Sequence, residues 1–248
     1  MTTLPRPRAT SSFLLGLADD ALVTAQRLGW WVSRAPELEE DVALANIGLD
    51  QLGQARGLLT VVADLEGAGR TEDDLAYLRD PEEFRNVVLV ERPQADFAVC
   101  VVRMLLLAAW QHEVYAALAA REGPARGVAG KAVKEVAYHL DHARHWVLRL
   151  GDGTDLSHDR AQSALDAEWP HLPELLAADP AAPVDPAGLH EAVLDHVVPV
   201  LTAATLVVPE LGAPPADGGG RAGRHTAHLA ELLAEMQQVA RAHPGASW

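Results

Sequence analysis

From Pro36 to Gly67 apolar side chains recur at helical spacing for about thirty residues, and a helix of that length has to lie along partners of similar length. Leu38, Val42, Ala45, Leu49, Leu52 and Leu59 read as one seam, Ile47, Leu58 and Val62 widen it, and Gly67 supplies the stop. Ahead of this helix, Ser12 is placed to cap a first one. Leu14, Leu17, Ala21, Leu28 and Trp31 carry that helix to the break at Ala35-Pro36. A third long helix runs from about residue 93 to 121 through Phe97, Val101, Leu105, Ala108 and Val114. A fourth runs from about 125 to 150 through Ala132, Val136, Leu140 and Val147. The turn Glu122-Gly-Pro124 is short enough to make these two antiparallel neighbours.

The remaining segments are shorter. Residues 71–92 carry helical fragments punctuated by Asp80-Pro81 and Arg92-Pro93 and cross between the two long pairs. After Gly151-Asp-Gly-Thr-Asp155 a fifth helix is expected over 157–178, bent at Pro170 and Pro173. A proline-rich loop over 179–186, a helix over 187–201, a Gly/Pro connection over 211–223 and a last helix over 225–241 complete the chain. Two helix pairs with short internal turns and a long crossover between them specify an all-α fold: a ferritin-like four-helix bundle with additional C-terminal helices. Residues 1–11 read as a disordered lead-in and 12–248 as a single domain.

Composition narrows the functions open to such a chain. Lys and Arg total 20 against 35 Asp and Glu, a net charge of −15, which repels nucleic acid and anionic lipid. Cys100 is the one cysteine, so no internal disulfide or multi-cysteine metal site can form, and its apolar neighbours Val99 and Val101 make it an inert core residue. The N-terminus has arginines without an apolar segment behind them, and the longest apolar run, Met104 to Trp110, is too short to span a bilayer, so a cytoplasmic location is expected. No glycine-rich phosphate loop and no Ser-His-Asp or Cys-His spacing is present.

Oxygen-handling bundles of this architecture hold two metal ions with a Glu from each of two helices and a Glu-x-x-His pair from each of the other two. Residues three apart share a helix face, which lets the Glu bridge the metals while the His reaches one of them. The only Glu with a His three residues on is Glu168, and Pro170 lies between it and His171. On the fourth helix Glu135 and His139 are four apart, and Tyr138 stands where a His would be needed. On the second helix the residues three apart on the expected inner face are Asn46 and Leu49, and a leucine cannot ligate a metal. Glu113 is the one leftover carboxylate on the third helix, and it reads equally as part of a solvated strip with Gln111 and His112. Asn46, Leu49, Glu113, Glu135, Tyr138 and His139 are therefore positions of a degenerate site, with no metal, cofactor or catalytic residue assigned. Asn46, Asp50, Glu135 and His139 are expected to form a buried polar layer in its place.

Several segments are more distinctive than periodicity. These are Asp19-Asp-Ala-Leu-Val23 with Gln26-Arg-Leu-Gly29, the block from Ala35 to Arg56, Lys131 to His139, Leu150 to Asp155, and Leu233-Ala-Glu-Met-Gln237. Nearly end to end, the chain resembles the C-subunit family of the bacterial phenylacetyl-CoA 1,2-epoxidases, multicomponent ring-epoxidising monooxygenases of phenylacetate breakdown that use O2 and NADPH. The resemblance implies a ferritin-like subunit without an active centre. Such a subunit pairs with and stabilises a catalytic A subunit that carries the di-iron centre, and small and reductase subunits dock on the complex. A divergent di-metal oxygenase acting alone and a stand-alone homo-oligomeric scaffold, at its simplest a homodimer, are the competing readings.

Overall fold

The computed structural model describes residues 7–179, 181–182 and 185–246. Every regular element among the described residues is helical, in keeping with a ferritin-like helical fold. The long helices are α1 (Pro7–Gly29), α2 (Leu38–Glu66), α5 (Phe97–Ala119) and α6 (Arg126–Gly151). Between the pairs lie the short α3 (Glu72–Tyr77) and α4 (Val88–Glu91). The rest comprises α7 (Asp155–Glu168), α8 (Leu172–Leu175), α9 (Pro186–Ala203), α10 (Ala227–Met236) and α11 (Gln238–Ala242). The break expected at Pro170 is a 3₁₀ turn, Trp169–His171, between α7 and α8.

The chain divides into two compact units, residues 1–93 with 217–248, and residues 94–216. The lead-in expected over 1–11 is helical from Pro7 onward, and residues 1–6 lie outside the described residues. The physical reason is that proline has no N–H to waste at a helix start, and its fixed φ favours the first turn.

In the first unit α1 packs along α2. Acidic Glu39, Glu40 and Asp41 open α2 against the positive end of its dipole, and Asp41 accepts from the Ala35 N–H at 3.0 Å. Gly67 closes it at φ 61°, its N–H donating to the Ala63 carbonyl. The buried face of α2 is Leu44, Ile47, Gly48, Gln51, Gln54, Ala55, Leu58, Leu59 and Val62. This overturns the expected seam: Leu38, Val42, Leu49 and Leu52 are exposed, Leu38 at 73% and Leu49 at 65%. The helix is apolar on two sides, and two glutamines sit on the side that is packed.

The first unit is closed by buried charge. Asp19 and Asp20, adjacent on α1, are fully buried. Asp19 accepts from the Arg79 guanidinium, with Nη1 at 2.9 Å, and from the Arg85 N–H at 2.8 Å. Asp20 accepts from the Val87 N–H at 2.8 Å and from Arg221 Nη2 at 2.5 Å. Gly220 lies so close to the Asn86 carbonyl that a Cβ there would come within 2.0 Å of it. His225 Nδ1 meets Glu91 Oε2 at 2.7 Å and its Nε2 meets the Phe84 carbonyl at 3.1 Å, so both nitrogens face acceptors, an arrangement that favours the cationic ring. Burial works against that charge, but the bonds to Glu91 and Phe84 and the charges of Glu91 and Asp19 outweigh it and raise the His225 pKa above its ordinary value.

In the second unit α5 is the central helix and packs on α6, α7, α8 and α9. Asp96 caps it by accepting from the Val99 N–H at 3.0 Å. By length and composition α5 is apolar enough to cross a membrane, a property not apparent from the Met104–Trp110 run alone, but 78% of its apolar window is buried inside the fold, as in a core helix. Cys100 is buried on it. Arg103 of α5 makes a bidentate, buried pair with Glu168 of α7, Nε to Oε2 at 3.0 Å and Nη2 to Oε1 at 3.2 Å. A Cβ on Gly151 would come within 2.2 Å of the Ala204 carbonyl, which fixes the end of α6 against the end of α9.

Two outcomes follow from the buried charges. Asp20→Ala strands the Arg221 guanidinium and the Val87 N–H and should cost about 3–5 kcal/mol, read from urea unfolding. Because the folded pKa of His225 is raised, its stabilisation is complete below the ordinary value of 6.5 and is lost as pH rises through the folded value. Unfolding midpoints between about pH 6 and pH 9 should therefore fall less in His225→Gln than in the wild type. Equal slopes would show that the ring is not protonated in the folded state.

Candidate functional site

The positions expected to form a degenerate metal site lie on α2, α5 and α6. Asn46 and Leu49 point outward from α2, because the face packed by α1 is the one carrying Ile47, Gln51 and Leu58. Asn46 is thus not part of a buried polar layer. On α6, Tyr138 is 53% exposed, Glu135 is half-buried with Lys131 Nζ 2.8 Å from its Oε1, and His139 is fully buried. Glu168, from the lone Glu-x-x-His match, is occupied by Arg103. These residues do not fit a di-iron group: Asn46 and Leu49 supply neither carboxylate nor imidazole, and Glu135 and Glu168 are paired with protein cations.

Glu113 is the exception. On α5 it stands beside His112, and α9 brings His196, 83 residues away in sequence, against the same carboxylate. His196 Nε2 is 2.8 Å and His112 Nδ1 3.0 Å from Glu113 Oε1. The two imidazole rings meet edge to face, with centroids 5.4 Å apart. Arg144 of α6 completes the group, its Nη2 2.7 Å from His196 Nδ1. Since a guanidinium can only donate, Nδ1 of His196 is the acceptor and Nε2 carries the proton given to Glu113. Burial alone would raise the Glu113 pKa, but hydrogen bonds from His112 and His196 and their charge outweigh it and hold the carboxyl below its ordinary range.

The three side chains are 25–29% exposed, open to solvent on one side and packed on the other. Their ligand atoms lie within 4.8 Å of one another. Two imidazoles and a carboxylate can hold one proton or one small cation between them. With a single carboxylate they cannot bridge two metals. Nothing in the spacing of His112 and Glu113 announces His196. The one available signal was a His-Glu step on a largely apolar helix.

Comparison with known proteins places the whole chain. The model of the phenylacetic acid catabolic protein family matches residues 3–248. The chain belongs to that family. It is similar to the C subunit of the 1,2-phenylacetyl-CoA epoxidase of Escherichia coli (strain K12), with 42% identity over 247 residues, covering 96% of this chain and 98% of that protein. Membership of the phenylacetic acid catabolic protein family therefore agrees with the resemblance carried by the Asp19–Val23 and Ala35–Arg56 segments. In the structure Asp19 and Asp20 belong to the buried charge network of α1, and much of the second segment forms α2.

The outward position of Asn46 has a direct test. Asn46→Leu should leave the thermal midpoint essentially unchanged, within the roughly 0.5 kcal/mol usual for surface changes. A loss of several degrees would place Asn46 in a buried network after all.

Proposed function

We propose that this chain is a non-catalytic structural subunit of a multicomponent phenylacetyl-CoA 1,2-epoxidase, pairing with and stabilising a di-iron catalytic subunit. Identity along almost the full length of a protein named as the C subunit of that enzyme supports the assignment to the complex. The observation that carries the structural role is the outer face of α2. Leu38, Val42, Leu49 and Leu52 recur at helical spacing and form an apolar stripe open to solvent, with Asn46 beside it. Apolar surface of this kind is costly to leave wet and characteristic of a face that another protein covers.

The same face explains the ligand losses. A helix that presents leucines to a partner has no use for a Glu-x-x-His pair there, and the buried Asp19, Asp20, Glu91 and Glu168 are paired with arginines and a histidine. The net charge of −15 argues against nucleic acid as the partner. Reductase and small subunits, in this reading, dock on the assembled complex, and O2 and NADPH are consumed at the catalytic subunit.

The test is co-expression with the neighbouring catalytic subunit and gel filtration of the product. A stable heteromer is expected with the wild type. The double variant Leu38→Asp/Leu49→Asp should lose it, each change costing about 2 kcal/mol of affinity or more, while its own circular dichroism melt is retained. A heteromer that survives both substitutions would remove α2 as the partner face. A wild-type chain that only self-associates would favour a homo-oligomeric scaffold. Stoichiometric iron or manganese that is lost with Glu135→Gln or His139→Gln would favour an oxygenase acting alone.

A further inference from the structure

We propose that His112, Glu113 and His196 form a binding site for a single divalent transition ion of the zinc type, gated by Arg144. The inference concerns the second unit alone and does not depend on the subunit reading.

The geometry comes first. A tetrahedral zinc ion, with bonds of about 2.0–2.2 Å, places neighbouring donors about 3.3 Å apart. The present separations, 2.8 Å from Glu113 Oε1 to His196 Nε2 and 3.0 Å to His112 Nδ1, are those of hydrogen bonds, and a few tenths of an ångström of spreading converts them to ligand spacing. His112 and Glu113 are consecutive on α5, α9 packs directly on that helix, and the donors already converge. Partial exposure gives the ion a way in and leaves a position for water.

The donor set selects the ion. Two imidazoles with one carboxylate suit zinc and its neighbours, whereas calcium and magnesium require more oxygen ligands. A lone carboxylate excludes a bridged pair of irons at this place. The strongly acidic chain attracts cations.

Arg144 is the opposing element. Its donation to His196 Nδ1 leaves the proton on Nε2, the nitrogen the ion needs. Binding requires the ring to carry its single proton on Nδ1 instead, and an N–H facing a guanidinium N–H is repulsive. The arginine therefore has to swing away, which weakens binding. A glutamine at 144 would offer a carbonyl to Nδ1–H, the kind of second partner that orients and strengthens a metal-bound histidine.

Zinc chloride titrated into the metal-stripped full-length chain, followed by calorimetry, and cobalt(II) followed by visible absorption test this. One zinc per chain and the absorption of tetrahedral cobalt are expected. Glu113→Gln and His196→Gln should each weaken binding more than about tenfold, and Arg144→Gln should tighten it by about tenfold. His145→Gln, at an exposed histidine on the same α6, should change nothing. Melting curves without metal check that each variant is folded, and His112→Asn replaces His196→Gln if the latter is not. The proposal is overturned if neither the wild type nor Arg144→Gln binds saturably, or if binding is unchanged in Glu113→Gln. Weaker binding by Arg144→Gln would remove the gate.

Discussion

Two adjacent carboxylates with no access to water govern the first unit. Asp19 and Asp20 leave α1 side by side, and between them they collect two guanidinium groups and two backbone N–H groups. Buried anions are tolerated only when so surrounded. The crossing segment after α2 has few helical hydrogen bonds of its own, and its path past Arg79, Arg85 and Val87 is dictated by what these two aspartates require. Arg221 then draws in the segment beyond residue 217, where Gly220 against the Asn86 carbonyl and His225 against Glu91 complete the fit.

The second unit uses the same device with different residues, since Arg103 neutralises Glu168 in the interior. Asp19, Asp20, Glu91 and Glu168 thus all meet protein cations in the interior. In a metal-bearing bundle that compensation comes from the ions, and removing the ions would leave a cluster of mutually repelling carboxylates. A bundle with Asn46, Leu49 and Tyr138 at the expected ligand positions, and with Glu168 and Glu135 tied to arginine and lysine, needs no ion to offset those two carboxylates. This is the physical content of the structural role proposed above.

Helix positions were largely legible from the sequence because periodicity and punctuation act locally: Gly67, Gly123-Pro124 and Pro170 all end or bend the chain where expected. The phase of α2 was not legible. A helix with apolar residues on two sides gives no local sign of which side its neighbour covers, and the packed side carries Gln51 and Gln54. The cluster around Glu113 was half visible: the carboxylate stood out, but His196 and Arg144 reach it only through the packing of α9 and α6 on α5, which no short-range pattern encodes. Pro7 misled in the other direction, since a residue that ends helices elsewhere begins one here.

The first unit is assembled from both ends of the chain, with residues 94–216 interposed. During synthesis its N-terminal part emerges before Arg221 and His225 exist, so Asp20 and Glu91 have to wait for their partners. At translation speeds of about 5–20 residues per second the delay is on the order of ten seconds, during which the interposed unit, continuous in sequence, is free to fold. The order in which the chain matures is thus the reverse of the order in which its first and second units begin to leave the ribosome.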